Sequence, residues 1–153
     1  MDFLKNKIPP PVIGLSIGLL MWWLNGFSPI ISYKNQLLDY FAIAIILVGI
    51  SIDIQSLYNF IKNKTTANPL TPQKASKLVI SGFYRFTRNP MYLGMFLVLL
   101  GTALLFGSLA SLLLLPAFIG AINYLQISNE EKALETLFGE EYLSYKQRVR
   151  RWL

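Results

Sequence analysis

The residue types that could support chemistry are concentrated just before the longest uncharged segment of the chain. Arg88 precedes Asn89 and Pro90, and Tyr84 and Tyr92 flank them. Because proline is tolerated in the first turn of a helix, Asn89 is predicted to cap a helix that begins at Pro90. A cation, ring hydroxyls and free backbone N–H groups at a helix start suit a polar ligand with a negative end. The alternative is an anchor that only holds the helix at the membrane interface.

Two acidic residues are further candidates. Asp53 lies well inside an apolar segment, where a carboxylate is costly and is a functional candidate by default. It is also only about 10 Å from the end of the predicted helix, so it could instead reach interfacial water or pair with an arginine. Glu130 directly follows the uncharged segment. If that segment folds back on itself, Arg88 comes within reach of Glu130, either as a salt bridge or as a site for a zwitterionic ligand.

The composition excludes several kinds of chemistry. The chain has 153 residues, of which 54% are hydrophobic and 14% charged, and it contains neither cysteine nor histidine. Thiolate chemistry, histidine-ligated metals and a histidine general base are therefore excluded, and no metal is expected. The net charge of +6 comes from basic residues that flank hydrophobic blocks. This pattern favours contact with a lipid bilayer and not with nucleic acid.

The apolar blocks predict an all-α integral membrane bundle, with about four transmembrane helices and a C-terminal amphipathic helix. The whole chain is read as a single membrane domain, residues 1–153. In order, it comprises two N-terminal spans in residues 1–61 (12–27 and 37–61), a cytoplasmic connection at 62–88, a helical hairpin at 89–129 and an amphipathic tail helix at 130–153.

Proline and glycine give the finer expectations. The hairpin is expected to break near Gly107, and the tail helix at Gly139. Gly94 and Gly101 would let helices approach closely, as small residues do in membranes. Pro116 is expected to kink the second arm of the hairpin.

The distribution of basic residues predicts the orientation. Every Lys and Arg except Lys34 falls in the N-terminal lead, the 62–88 connection or the tail. The positive-inside rule then places both termini and the connection in the cytoplasm, for a protein of the cytoplasmic membrane.

Three blocks of the sequence resemble the isoprenylcysteine carboxyl methyltransferase family, which is related to phospholipid N-methyltransferases. They are residues 78–84 (LVISGFY), 88–92 (RNPMY), and Glu130-Glu131 followed by 138–142 (FGEEY). The resemblance covers roughly residues 65–153. It implies a membrane enzyme that uses S-adenosyl-L-methionine, bound at the cytoplasmic mouth of the last two spans, with a lipid-like or lipidated acceptor entering from the bilayer.

The resemblance also implies site residues. The cofactor contacts would be Ser76, Lys77, Leu78, Val79, Tyr84, Asn89, Pro90, Met91, Tyr92 and Glu130. Asn89 stands where the family has a histidine, and Gln126 takes the place of a substrate-binding arginine. Catalytic roles fall to Arg88, Glu130 and Asp53. The acceptor would be a carboxylate, which needs no base, or an amine, which must lose a proton.

Two other functions fit a short chain with several spans. One is a small four-span transporter, for which Asp53 is the acid that could serve. The other is a non-catalytic membrane scaffold that keeps the fold without the activity.

Overall fold

The computed structural model describes residues 7–27, 35–66 and 71–153, and in these residues the chain is helical without a β-strand. The segment between the two predicted N-terminal spans, residues 28–36, falls largely outside this part of the chain, and Lys34 lies in it. The elements follow in the order α1 (Pro10–Phe27), α2 (Gln36–Lys62), α3 (Pro90–Phe106), α4 (Leu109–Leu113), α5 (Leu115–Ile122), α6 (Ser128–Phe138) and α7 (Glu140–Arg148). A π-helical turn at Asn123–Ile127 joins α5 to α6, and short 3-10 turns occupy Pro72–Lys74 and Gly82–Arg85.

Two segments of the described chain are long and apolar enough to cross a membrane. They are α2, with 27 residues, and the helical stretch Leu109–Phe138, with 30 residues. Helix α3 is apolar as well but shorter. Helix α1 begins at Pro10, two residues before the predicted span, because the carbonyl of Pro9 accepts the N–H groups of Val12 and Ile13. The all-helical architecture is therefore as predicted, with long apolar helices.

Helices α2 and α3 pack with their backbones in contact. A Cβ added to Gly101 would lie 2.6 Å from the carbonyl oxygen of Ala42, and one added to Gly49 would lie 2.6 Å from that of Gly94. Only glycine has the space to permit this approach. The close contact predicted at Gly94 and Gly101 is confirmed, and Gly49 supplies the matching surface on α2.

The hairpin breaks where glycine and proline predict it. Gly107 ends α3 in the left-handed region, with φ 61°. The second arm stops at Leu113 and restarts at Leu115, so that Pro116 stands in the first turn of α5. This arm packs on α1 and α3 around the fully buried Phe118.

The tail folds back over the start of α3. Gly139, with φ 50°, separates α6 from α7, as predicted. Residues 149–152, which we call the strap, then run past the N-terminus of α3, where the backbone N–H of Arg88 donates to the carbonyl of Arg150 at 2.9 Å. Trp152 ends the strap, packs on the core and donates to Asn123 Oδ1 at 3.2 Å.

Candidate functional site

A cavity of about 220 Å³ lies where the start of α1, the end of α2, the connection, the start of α3, α6 and α7 meet. Its wall combines apolar and polar groups. The apolar lining consists of Pro10, Pro11, Phe60, Ala75, Leu78, Val79, Met91, Met95 and Leu134. The polar lining consists of Thr66, Lys77, Tyr84, Arg88, Asn89, Tyr92, Glu130, Glu131, Tyr142 and Tyr145.

Helix α3 starts at Pro90, as predicted, but Asn89 does not cap it with its side chain. The Asn89 amide instead donates to the carbonyl of Arg151 at 2.9 Å. Its backbone carbonyl accepts the N–H groups of Tyr92 and Leu93. Asn89 is therefore the N-cap residue, as predicted, but its side chain is turned toward the strap and makes no capping hydrogen bond.

Glu130 and Tyr92 form the polar centre of the cavity. The hydroxyl of Tyr92 donates to Glu130 Oε1. Both residues line the cavity, and Tyr92 is buried. The bond joins the first turn of α3 to the first turn of α6, so the two ends of the hairpin do meet. It fixes one carboxylate oxygen and the orientation of the carboxyl group.

Arg88 and Glu130 line the same cavity, but the salt bridge that was one alternative for this pair does not form. Arg88 Nη2 donates instead to Glu131 Oε1 at 2.7 Å, and Arg151 Nη2 donates to Glu131 Oε2 at 2.6 Å. Consecutive residues of a helix project about 100° apart, so that the two glutamates face different partners. Glu131 is the buried, doubly paired member, whereas Glu130 is bonded to a neutral phenol.

Two tyrosines of α7 cover one side of the cavity. The hydroxyl of Tyr145 donates to the carbonyl of Tyr84 at 2.7 Å, and Tyr142 is almost completely buried beside it. Burial raises the pKa of the Tyr145 hydroxyl above its ordinary value, which keeps it protonated as a donor. Both rings pack on Leu78, so the connection and the tail form one cover.

Most of the predicted cofactor residues lie together on the wall of the cavity. Lys77, Leu78, Val79, Tyr84, Asn89, Met91, Tyr92 and Glu130 all line it. Ser76 and Pro90 are not among the lining residues. Ser76 is bound to the end of α2, where its hydroxyl donates to the carbonyl of Lys64 at 3.2 Å. Pro90 is buried at the start of α3.

Asp53 and Gln126 are not among the residues that line the cavity. Asp53 lies on α2 against Gly94, and its Oδ1 is buried without a hydrogen bond within the described chain. Gln126 is fully buried in the π-helical turn and donates from Nε2 to the carbonyl of Ile8 at 2.6 Å. It thereby ties α6 to the segment that leads into α1.

Sequence reasoning missed several residues of the site. Pro10 and Pro11 enter from the start of α1 and Phe60 from the end of α2, which carry no motif. Glu131 belongs to one of the sequence blocks, but nothing in the sequence identifies its partners Arg88 and Arg151. No local pattern in the sequence identifies these long-range contacts.

The donors and acceptors of the cavity suit an organic ligand with both polar and apolar parts. Glu130 offers a carboxylate and Lys77 an ammonium group, while Leu78, Val79 and Met91 offer an apolar surface. In the described residues, no group of three or more acidic side chains is arranged to hold a metal ion.

The long apolar helices are typical of a membrane protein, and the described residues enclose a cavity of mixed polar and apolar lining beside the start of α3. A model of the family described as "Phospholipid methyltransferase" matches residues 38–141. The chain belongs to this family and is a methyltransferase. The matched residues include most of α2, the connection, the hairpin and the first half of the tail.

Two named relatives agree with this assignment, and a third relative is uncharacterized. The chain is 36% identical over 72 residues to protein-S-isoprenylcysteine O-methyltransferase of Schizosaccharomyces pombe, covering 47% of this chain and 30% of that one. It is 27% identical over 128 residues to protein-S-isoprenylcysteine O-methyltransferase B of Arabidopsis thaliana, covering 84% and 58%. An uncharacterized protein of Haemophilus influenzae is 49% identical over 63 residues, which cover 41% of this chain and all of that protein.

These names confirm the resemblance to the isoprenylcysteine carboxyl methyltransferases. The chain nevertheless spans 30% and 58% of the lengths of the two named enzymes. No solved structure matches the chain.

Proposed function

We propose that the protein transfers a methyl group from S-adenosyl-L-methionine to a lipid-like or lipidated acceptor at the membrane. One observation carries this proposal. Most of the residues expected to contact the cofactor line the same cavity, and the Tyr92–Glu130 bond lies among them. The methyltransferase family supports the reaction class. A transporter or a scaffold is not favoured by that family.

Glu130 is the residue to which we assign recognition of the methyl donor. Its Oε1 accepts from Tyr92, so the carboxylate is held in one orientation. Its other oxygen, Oε2, would accept from a ribose hydroxyl or an amino group of the donor. Hydrogen bonds to a charged acceptor are stronger than neutral ones, which suits a residue that must select its ligand.

The start of α3 and Lys77 would bind the negative end of the donor. At the start of α3 this role falls to the N–H of Met91 and the helix dipole, because Pro90 has no N–H and those of Tyr92 and Leu93 bond to Asn89. Lys77 lines the same cavity and adds a full positive charge. The aliphatic surface of Leu78, Val79 and Met91 would pack on the apolar parts of the ligand.

The methyl group of a sulfonium is already activated, so the protein mainly has to position the two reactants and exclude water. Tyr142 and Tyr145 would exclude water, since both are buried and cover the cavity. A carboxylate acceptor needs no proton transfer. For an amine acceptor, the proton would be released to water, because one oxygen of Glu130 is bonded to Tyr92 and the other is assigned to the donor. We assign no step to Asp53, which packs against Gly94.

The acceptor would reach the cavity from the bilayer. Pro10, Pro11 and Phe60 form its wall at the ends of α1 and α2, where apolar side chains could contact a lipid tail. We further propose that the chain crosses the membrane four times and keeps both termini in the cytoplasm, so that the cavity faces the inner leaflet.

Methyl transfer from labelled S-adenosylmethionine into extracts of membrane lipids and into prenylcysteine compounds tests the proposal. The wild-type protein should label a lipid-soluble product, and Glu130→Gln should lower the rate by a factor of about 10 or more, since it removes a charged hydrogen-bond acceptor. Glu140→Gln is the matched control, because Glu140 is an exposed residue of α7. The absence of labelled product with every acceptor would contradict the proposed reaction.

A further inference from the structure

The guanidinium group of Arg88 is bound to the tail of the protein. Its Nη1 donates to the carbonyls of Lys146 at 3.0 Å and Val149 at 2.8 Å, at the C-terminal end of α7. Its Nη2 donates to Glu131 at 2.7 Å. A cation at the C-terminal end of a helix satisfies free carbonyls and opposes the negative end of the helix dipole. Arg88 therefore acts as a cap for a helix that is distant in the sequence.

The neighbours of Arg88 bind the strap as well. Thr87 Oγ1 donates to the carbonyl of Arg151 at 3.0 Å, and the amide of Asn89 donates to the same oxygen at 2.9 Å. The side chain of Arg151 also fixes the strap, because its Nη2 pairs with Glu131 Oε2 at 2.6 Å. Three consecutive residues before α3 are thus committed to the strap.

The helix that Arg88 caps carries part of the cavity wall. Tyr142 and Tyr145 of α7 line the cavity, and Tyr145 also bonds to the carbonyl of Tyr84. At the far end of the strap, Trp152 bonds to Asn123, where the π-helical turn leads into α6 and Glu130. Displacing the strap would release the cover and disturb the helix that carries Glu130.

We propose that Arg88 is a positioning residue rather than a catalytic one: through the strap, it holds the tyrosine cover of α7 closed over the donor cavity. Glu131 is the counter-ion that fixes Arg88 and Arg151 in this arrangement. The inference rests on the proposed function, because it takes the cavity to be the donor site. Loss of Arg88 should then weaken donor binding by opening the cover, while the transfer step of the fully bound enzyme is retained.

Tryptophan fluorescence can report the strap without any activity. Trp152 packs on the core, whereas the other two tryptophans, Trp22 and Trp23, are exposed on α1. Changing both to phenylalanine leaves Trp152 as the single emitter. In this background Arg88→Gln, Arg88→Lys and Arg148→Gln are compared. Arg148 is the matched control, since it is exposed and its Nε bonds only within α7 to the carbonyl of Ser144.

Arg88→Gln should shift the emission of Trp152 to longer wavelength and weaken S-adenosylmethionine binding on the order of tenfold, within the usual range of coupling between linked sites. Saturating S-adenosylmethionine should return the emission toward that of the parent, since coupling between two sites is reciprocal. The kcat at saturating donor should equal that of the parent, with the loss confined to KM. Arg88→Lys should give an emission and a KM between those of the parent and of Arg88→Gln. Arg148→Gln should match the parent in both.

Arg88→Gln with unchanged Trp152 emission and a large loss of kcat at saturating donor would overturn the inference and make Arg88 catalytic. If Arg88→Gln does not fold, Arg151→Gln replaces it, because this change removes the Arg151–Glu131 pair and leaves Arg88 paired with Glu131. It should shift the emission of Trp152 in the same direction. An unchanged emission for Arg151→Gln would also contradict the inference. If the parent protein binds no S-adenosylmethionine, the proposed function fails, and the emission still reports whether Arg88 holds the strap.

Discussion

Replacing Gly101 by alanine tests the packing of α2 on α3 with the least effect on the site. The added Cβ would lie 2.6 Å from the backbone oxygen of Ala42 and 2.5 Å from Cγ1 of Ile46. An ordinary contact between a carbon and a carbonyl oxygen is about 3.3 Å or longer. The two helices would have to separate by roughly 0.7 Å at this point. A side-chain rotation can relieve the contact with Ile46 but not the contact with the backbone.

The expected cost follows from this collision. Overpacking of a close interface costs about 1–3 kcal/mol, and a backbone contact belongs at the upper end. Alanine recovers about 1 kcal/mol of helix propensity over glycine. The net loss for Gly101→Ala is therefore about 2 kcal/mol, which lowers the melting temperature of a chain of this size by about 4–8 °C.

Thermal unfolding in detergent micelles, followed by circular dichroism, measures the effect. Gly120→Ala is the matched control, because nothing lies within 4 Å of a Cβ added there. It should raise stability by up to about 1 kcal/mol through helix propensity alone. Equal melting temperatures for the two variants would refute the close contact between α2 and α3.

Three further changes test individual contacts. Glu131→Gln leaves two arginines without their charged partner and should lower the free energy of unfolding by about 3 kcal/mol or more, which denaturant titration measures. Tyr145→Phe removes the hydrogen bond to the carbonyl of Tyr84 and should cost about 1 kcal/mol in the same titration, with a faster proteolytic cleavage of the tail. Gly107→Ala places a side chain at φ 61° and should lower the melting temperature, with a cost of about 1 kcal/mol. A variant as stable as the wild-type protein would show that the ion pair, hydrogen bond or backbone conformation it tests is absent.

The boundaries of several helices could be predicted from single proline and glycine residues. Pro90 begins α3, Gly107 ends it and Gly139 divides the tail, because these residues constrain the backbone through their own covalent structure. The apolar pattern likewise placed α2 within one residue of its observed ends. The sequence blocks that resemble the methyltransferases contain about half of the residues that line the cavity.

Long-range contacts could not be predicted in this way. Arg88 pairs with Glu131 and not with Glu130, and the choice between adjacent glutamates depends on the rotation of α6. The π-helical turn at Asn123–Ile127, which directly precedes α6, has no signature in the sequence. The binding of Asn89 to the strap depends in the same way on a segment that lies 62 positions further along the chain.

Calorimetric titration of the purified protein with S-adenosylmethionine and its demethylated product tests the central claim most directly. We expect saturable binding of one molecule per chain, weakened about tenfold or more by Glu130→Gln, through the loss of a charged acceptor, and unchanged by Glu140→Gln. An absence of binding by the wild-type protein, or equal affinity in Glu130→Gln, would contradict the assignment of the cavity at the start of α3 to the methyl donor.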